Sequence, residues 1–324
     1  MQNYNFIQKV LHDLLLSNNF LKKSLFEIEK IFFLNKNTNQ IKTQKHVFIT
    51  GLPRSGTTAI LNFLYSTNYF SSLTYKNMPF VMALNLFSKF QKKTSIKKKE
   101  RLHKDGIYFD LNSPEAFDEI FFSSFKDNEL KYELIYFINL ILLNKITKRY
   151  LSKNNLNYKR IDLILSILPN SIFLIPFREP LQHSFSLFKQ HEHFTSIQTK
   201  NNFIKRYMNY LGHNEFGNNH KSWNTPKLYN NYLDLNYWLE QWLMFYSDIY
   251  HKYKNYKNCY FVRYESLQNS DYLDNLTNIL ELKKITNHQF KLSKKEITNN
   301  VDKNLHSSAL NLYRQINYNL YDNL

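Results

Sequence analysis

The run Gly51-Leu-Pro-Arg-Ser-Gly-Thr-Thr58 constrains this chain more than any other feature. It comes just after the apolar run Val47-Phe48-Ile49 and leads into Ala59, Ile60, Phe63 and Leu64, apolar positions at helical spacing. Strand, tight glycine loop and helix N-terminus together bind phosphate or sulfate through amide donors and the helix dipole. The spacing, Gly-x-x-x-x-Gly followed by Thr-Thr, is that of a phosphate-cradling loop. Thr57, however, stands where a nucleotide triphosphatase carries its lysine, and the basic residue is inside the loop, at Arg54. The chain has five glycines in 324 residues, and this loop holds two of them. Glycine tolerates positive φ and lets a ligand approach the backbone, so such scarce glycines mark places where nothing else fits.

Residue count and composition fit one large domain or two small ones, with an ample core; 17% of the residues are aromatic and 43% hydrophobic. Forty-three basic residues against twenty-six acidic give a net charge of +17. Such a surface suits polyanions, an anionic membrane face or a doubly charged nucleotide. The abundance of Asn, Lys, Ile, Phe and Tyr runs through the whole chain and reads as base bias, so charge only supports the motif argument. The clearest basic run is Lys97-Lys-Lys-Glu-Arg101, preceded by Lys92 and Lys93; it reads most simply as a solvated surface. The single cysteine, Cys259, excludes an intramolecular disulfide and a cysteine metal site. The N-terminus lacks a signal-peptide pattern, and the longest apolar stretch, Leu134 to Leu143, is too short to span a membrane. The expectation is a cytoplasmic protein with no transmembrane segment, with the basic surface compatible with peripheral membrane contact.

Residues 5–34 predict a helix with Phe6, Val10, Leu14, Leu21, Leu25, Ile28 and Phe32 on one face. Residues 1–40 are expected to form a helical extension on a main domain of 41–324. Strands are expected at His46–Thr50, Ser171–Phe177 and Cys259–Tyr264, and helices at 57–67, 131–150, 181–190 and around Trp238 to Tyr253. Ser113-Pro114-Glu115 predicts a helix start, with Ser113 as N-cap and Pro114 at its first position. Residues 195–235 read as a loop-rich insertion. Strands alternating with helices predict a parallel sheet flanked by helices, a P-loop-like three-layer sandwich with sites at the strand C-termini.

A second anion site is expected where the strand Ser171–Phe177 ends. Arg178 closes it, Pro180 opens the next helix, and Ser186 follows two turns in. Arginine and hydroxyl can face one dianion at the sheet edge. Two anion sites at strand ends point to a ligand with anionic groups at both ends.

These motifs resemble the sulfotransferases that use 3′-phosphoadenosine 5′-phosphosulfate. Leu52-Pro-Arg-Ser-Gly-Thr-Thr58 is similar to that family's 5′-phosphosulfate loop. Arg178-Glu-Pro-Leu-Gln-His-Ser-Phe-Ser186 is similar to its 3′-phosphate motif, with Glu179 in place of the usual Asp. Val262-Arg-Tyr-Glu265 is similar to the element whose tyrosine meets the adenine, so Tyr264 holds that place. His103-Lys-Asp-Gly106 and Ser113-Pro-Glu-Ala-Phe-Asp-Glu119 resemble stretches of bacterial members. The resemblance covers roughly residues 45–270.

It implies in-line transfer of a sulfuryl group to a hydroxyl or amine, without a required metal. Arg54 and the amides and hydroxyls of Ser55, Gly56, Thr57 and Thr58 would stabilise charge on the leaving oxygen, with Arg178 and Ser186 holding the 3′-phosphate. A general base must take the acceptor proton. Glu115 is the first choice, followed by His103 and Asp105; Lys76 could stabilise charge. The implied acceptor is a carbohydrate or glycolipid. His191 and His193 do not share a helix face, so no metal ligation is expected. Two other readings stay open. Asp110, after Ile107-Tyr108-Phe109, imitates the magnesium-binding strand end of a kinase-like phosphoryl transferase. The charge alone would suit a nucleic-acid-binding protein, although no nucleic-acid module is visible.

Overall fold

The computed structural model describes residues 4–34, 38–88, 98–103, 106–143, 145–147, 149–283, 289–292 and 294–321. Its strands, in chain order, are β1 (Val47–Ile49), β2 (Phe70–Ser71), β3 (Lys99–Glu100), β4 (Tyr108–Phe109), β5 (Arg149–Lys153), β6 (Ile172–Phe177) and β7 (Cys259–Arg263). The helices are α1 (Phe6–Ser17), α2 (Asn19–Phe33), α3 (Asn39–Thr43), α4 (Thr57–Ser66), α5 (Leu84–Ser88), α6 (Glu119–Phe122), α7 (Asp127–Leu142), α8 (Ile161–Ile167), α9 (Pro180–Lys200), α10 (Asn202–Tyr210), α11 (Leu235–Tyr253), α12 (Ser270–Ile279) and α13 (Lys303–Tyr321).

Five strands form one parallel sheet in the order β2-β5-β1-β6-β7. Successive side chains on a strand point to opposite faces, and the two cores divide accordingly. Phe48, Tyr150, Phe173, Ile175, Phe177 and Phe261 pack against α7, α8, α9 and α11. Val47, Ile49, Leu151, Leu174 and Val262 pack against α4 and α12. Apolar on both faces, these strands read as near-continuous hydrophobic runs. His46 ties the centre together: its Nε2 meets the Ile41 carbonyl at 2.8 Å and its Nδ1 accepts the Tyr150 N–H at 2.9 Å. Burial lowers its pKa to about 4, which keeps the ring neutral and suited to both roles.

Several expectations are corrected. The expected helix over 5–34 is two helices, because Asn18 leaves helical geometry and caps α2, accepting the Leu21 N–H. Most of the face expected to pack does not: Phe6, Val10, Leu14, Ile28 and Phe32 are exposed, Leu21 and Leu25 are half-buried, and Leu15, Leu16 and Phe26 are buried instead. Phe26 packs edge-on against Phe121 and Phe125, and Asp13 pairs with Arg206 of α10. The helix expected over 131–150 ends at Leu142, and β5 follows. No helix starts at Ser113: Pro114 bridges Thr74, the Glu115 N–H donates to the Leu73 carbonyl, and α6 begins at Glu119. The Ser113 hydroxyl instead donates to Asp110. The loop-rich insertion begins later than expected, because α9 runs on to Lys200 and α10 follows. Lys92, Lys93, Lys97, Lys104 and Asp105 lie outside the described residues. Among the described residues, no helix is long and apolar enough to cross a membrane.

Candidate active site

The loop after β1 is held from inside. The Ser55 hydroxyl donates to the Leu52 carbonyl at 2.8 Å, and the buried His183 meets the Pro53 carbonyl at 2.8 Å. Trp242 Nε1 donates to the other ring nitrogen of His183 at 3.1 Å. Burial, helped by the nearby Arg178 charge, lowers the pKa of His183 to about 3, so the ring stays neutral. Arg54 takes a left-handed φ of 69°, a conformation that costs a non-glycine residue energy and clusters at functional sites. Gly56, with φ 101°, caps α4; a Cβ there would sit 2.1 Å from the Tyr264 ring. The loop therefore brings Pro53, Arg54 and Gly56, but not Ser55, to the cavity wall. Thr57 and Thr58 follow in the first turn of α4, where backbone N–H groups lack intrahelical partners.

The second motif meets the first. Arg178, just past the end of β6, donates from Nη1 to the Arg54 carbonyl at 3.1 Å. Arg54 Nε donates to the Ser186 hydroxyl at 3.1 Å, across 132 positions of sequence. Glu179 caps α9 by accepting the Leu181 and Gln182 N–H groups at 3.2 and 2.7 Å. Tyr264, just past β7, lies 5.7 Å from the Arg178 guanidinium and donates its hydroxyl to the Lys291 carbonyl. Arg54, Gly56, Thr57, Thr58, Arg178 and Tyr264 line one cavity of about 650 Å³. Ser55 and Ser186 stand behind its wall.

The same cavity wall also carries a buried charge cluster. Glu115 lies 3.3 Å from Arg101 and 3.9 Å from Lys153, and accepts the Tyr75 hydroxyl at 2.7 Å and the Ala116 N–H at 2.9 Å. Burial alone would raise its pKa, but Lys153 and Arg101, with those two donors, outweigh it and hold it at about 2. Burial lowers the pKa of Lys153 against the pull of Glu115. His103 lines the cavity with its ring edge-on to Phe194, and His193 binds the Leu102 carbonyl at 2.8 Å. Phe109, Phe117, Met208 and Leu211 supply apolar wall, and Tyr4 reaches it from the N-terminus. Lys76 is not part of the wall.

Sequence reasoning missed Lys153 and the pair His213 and Glu215, all three in the cavity wall. Lys153 ends a strand whose start falls in the helix expected over 131–150, and the pair sits in a stretch expected only as a loop. Of the residues weighed for metal, His191 packs among His220, Tyr232 and Trp238, and burial lowers its pKa to about 4. Among the described residues, no group of three or more His, Cys, Asp or Glu could hold a metal ion. Asp110 caps its own turn after β4, which pairs only with β3 in a hairpin apart from the main sheet.

A family model described as Sulfotransferase family matches residues 46–285. Among curated proteins there is no match. Solved structures similar to the chain include sulfotransferase STF9 from Mycobacterium avium, at 11% identity and a TM-score of 0.47, covering 93% of this chain and 75% of that one. Sulfotransferase STF1 from Mycobacterium tuberculosis H37Rv is 12% identical with a TM-score of 0.48, covering 98% and 86%. The sulfotransferase domain from the curacin biosynthetic pathway is 14% identical with a TM-score of 0.37, covering 75% of each chain.

Proposed function

We infer the reaction from one premise that is shown: this chain belongs to the sulfotransferase family. It moves a sulfuryl group from 3′-phosphoadenosine 5′-phosphosulfate to a hydroxyl of an acceptor. One observation carries the choice of donor. Arg54 and Arg178, from motifs far apart in sequence, share a cavity wall with the amide-rich start of α4 and the Tyr264 ring. Two guanidiniums and an aromatic ring in one wall suit a ligand with anionic groups and a planar base.

Arg54 and the amides of residues 55–58 would hold the phosphosulfate end and stabilise charge on the oxygen that leaves with phosphate. Arg178 would hold the 3′-phosphate, and Ser186 would fix Arg54 in the orientation it already has. Tyr264 would lie against the adenine. Glu115, the expected base, has both oxygens engaged and a pKa held at about 2. It fits better as the anchor of Arg101 and Lys153, which line the cavity with it.

The acceptor is a carbohydrate or glycolipid. The aromatic and aliphatic wall around Phe109, Phe117 and Met208 supports one with an apolar part and so favours the glycolipid. The reaction is placed in the cytoplasm, in keeping with a single, buried cysteine. Calorimetry with adenosine 3′,5′-bisphosphate tests the donor site. Tight binding is expected, and Arg178→Ala is expected to lose about 2–3 kcal/mol, the cost of removing a charged hydrogen-bonding partner. Absence of binding by the wild type overturns the donor assignment.

A further inference from the structure

We propose that His213 is the general base of the reaction and that Glu215 positions it. His213 and Glu215 both line the cavity, on the loop that follows α10. His213 Nδ1 faces Glu215 Oε1 at 3.4 Å. A carboxylate on Nδ1 selects the tautomer with its proton there and leaves the Nε2 lone pair as acceptor, the arrangement a base requires. Among the described residues, no hydrogen bond engages Nε2. The contact is long for a hydrogen bond, as catalytic contacts often are before ligand closes the site.

The backbone brings this pair to the donor loop. The Asn155 side chain donates to Glu215 Oε1 at 3.3 Å, and the Asn155 carbonyl accepts the Thr50 hydroxyl at 3.2 Å. Thr50 directly precedes Gly51. Glu215 is thereby braced from the end of β5 and from the residue that opens the anion loop. Gly212, with φ 69°, makes the turn before His213; a Cβ there would press 2.8 Å from Glu119 Cγ. The other ionisable groups facing the pair are Glu119 beneath Gly212, Lys153 and Tyr158 across from Glu215, and His220, whose Nδ1 binds the Glu215 carbonyl. The carboxylate stays ionised there: burial would raise its pKa, but His213 and Asn155 outweigh burial. Glu115, another acid of the cavity wall, is engaged by four donors or cations, whereas His213 presents an open nitrogen.

In the step, the acceptor oxygen bonds to sulfur as the bond from sulfur to the bridging oxygen breaks. The electron pair of that bond stays on the 5′-phosphate of the departing bisphosphate. The acceptor proton moves to His213 Nε2, and the imidazolium returns it to solvent.

This inference rests on the donor assignment above, and the experiment separates the two. Water is the acceptor of choice for the test, since it needs no knowledge of the natural acceptor. Single-turnover release of labelled sulfate from 3′-phosphoadenosine 5′-phosphosulfate is measured against pH, beside calorimetry with adenosine 3′,5′-bisphosphate. His213→Gln is expected to bind the bisphosphate like wild type, to slow release about a hundredfold, and to lose the acid-side fall of the rate. Glu215→Gln is expected to slow release less, with partial rescue by Glu215→Asp; a merely structural pair would not move the pH profile. Normal bisphosphate binding with undiminished release by His213→Gln, or wild-type release no faster than in free solution, overturns the assignment of the base. Failure of the wild type to bind the bisphosphate overturns the donor reading instead.

Discussion

Glu115 and Asp118 are buried carboxyls three positions apart, and their surroundings shift them in opposite directions. Glu115 drops from an ordinary 4.5 to about 2, despite burial, through Lys153 and Arg101. Asp118 rises from 3.8 to about 6, mainly through burial, although Ser152 and Tyr150 donate to it. The signs follow from linkage. The lowered pKa of Glu115 gives stability that is present above 4.5 and lost as pH falls toward 2. The raised pKa of Asp118 penalises the fold as pH climbs from 3.8 through about 6. The melting-temperature difference between Glu115→Gln and wild type should therefore grow more negative from pH 2 to 5. For Asp118→Asn the difference should move in the stabilising direction between pH 4 and 7. Flat differences in thermal scans would contradict both assignments. At Gly56 the constraint is steric: alanine would meet the Tyr264 ring in a backbone conformation it disfavours. Gly56→Ala is expected to lose bisphosphate binding at least tenfold by calorimetry, since either the loop or the ring must move.

Among the secondary-structure elements, α2 depends on one buried carboxylate. Glu29 accepts the Asn85 N–H at 2.6 Å, Asn85 Nδ2 at 2.8 Å and the Leu86 N–H at 3.0 Å, closing the N-terminus of α5. Glu29→Ala would leave the Asn85 and Leu86 N–H groups without that acceptor, while Asn85 Nδ2 keeps the Leu140 carbonyl, so a loss of about 2–4 kcal/mol in chemical denaturation is expected. A loss under about 1 kcal/mol would show that water replaces the carboxylate. The same scale shows what was legible in the sequence. β1, β6 and β7 announced themselves as apolar runs because both faces of a parallel sheet are buried. The anion loop and Arg178 were legible because their chemistry fixes their spacing. β5, Arg-Tyr-Leu-Ser-Lys, was not, because its end carries cavity residues and polar side chains hide the pattern. The α1 and α2 stripes misled for a different reason: periodicity identifies an amphipathic helix but not which face the protein covers. His213 and Glu215 carry no spacing signal at all, since only the tertiary path of the loop brings them to the cavity.

Across the whole molecule, β1 sits at the centre of the sheet, with β5 on one side and β6 on the other. In an open parallel sheet the crevice beyond the strand C-termini is where ligands bind. Here β1 leads to Arg54, β5 to Lys153 and Asn155, β6 to Arg178, and β7 to Tyr264, so four strand ends supply one cavity. The same layout separates sulfuryl from phosphoryl transfer. A phosphoryl transferase needs a loop lysine and a magnesium-holding acid beside it. Thr57 stands in the lysine's place, and Asp110 belongs to the β3–β4 hairpin, outside the parallel sheet. Arg54 instead brings a fixed positive charge into the loop, held by Ser186. On the proposed reading, a guanidinium and backbone amides would meet the charge that develops during transfer, leaving no role for a divalent ion. Release of labelled sulfate from 3′-phosphoadenosine 5′-phosphosulfate should therefore proceed unchanged in excess EDTA. A fall of about tenfold or more that magnesium restores would mean that a metal bridges the anionic groups as in the phosphoryl-transfer enzymes. Arg54 would then be an accessory to that ion and not its substitute.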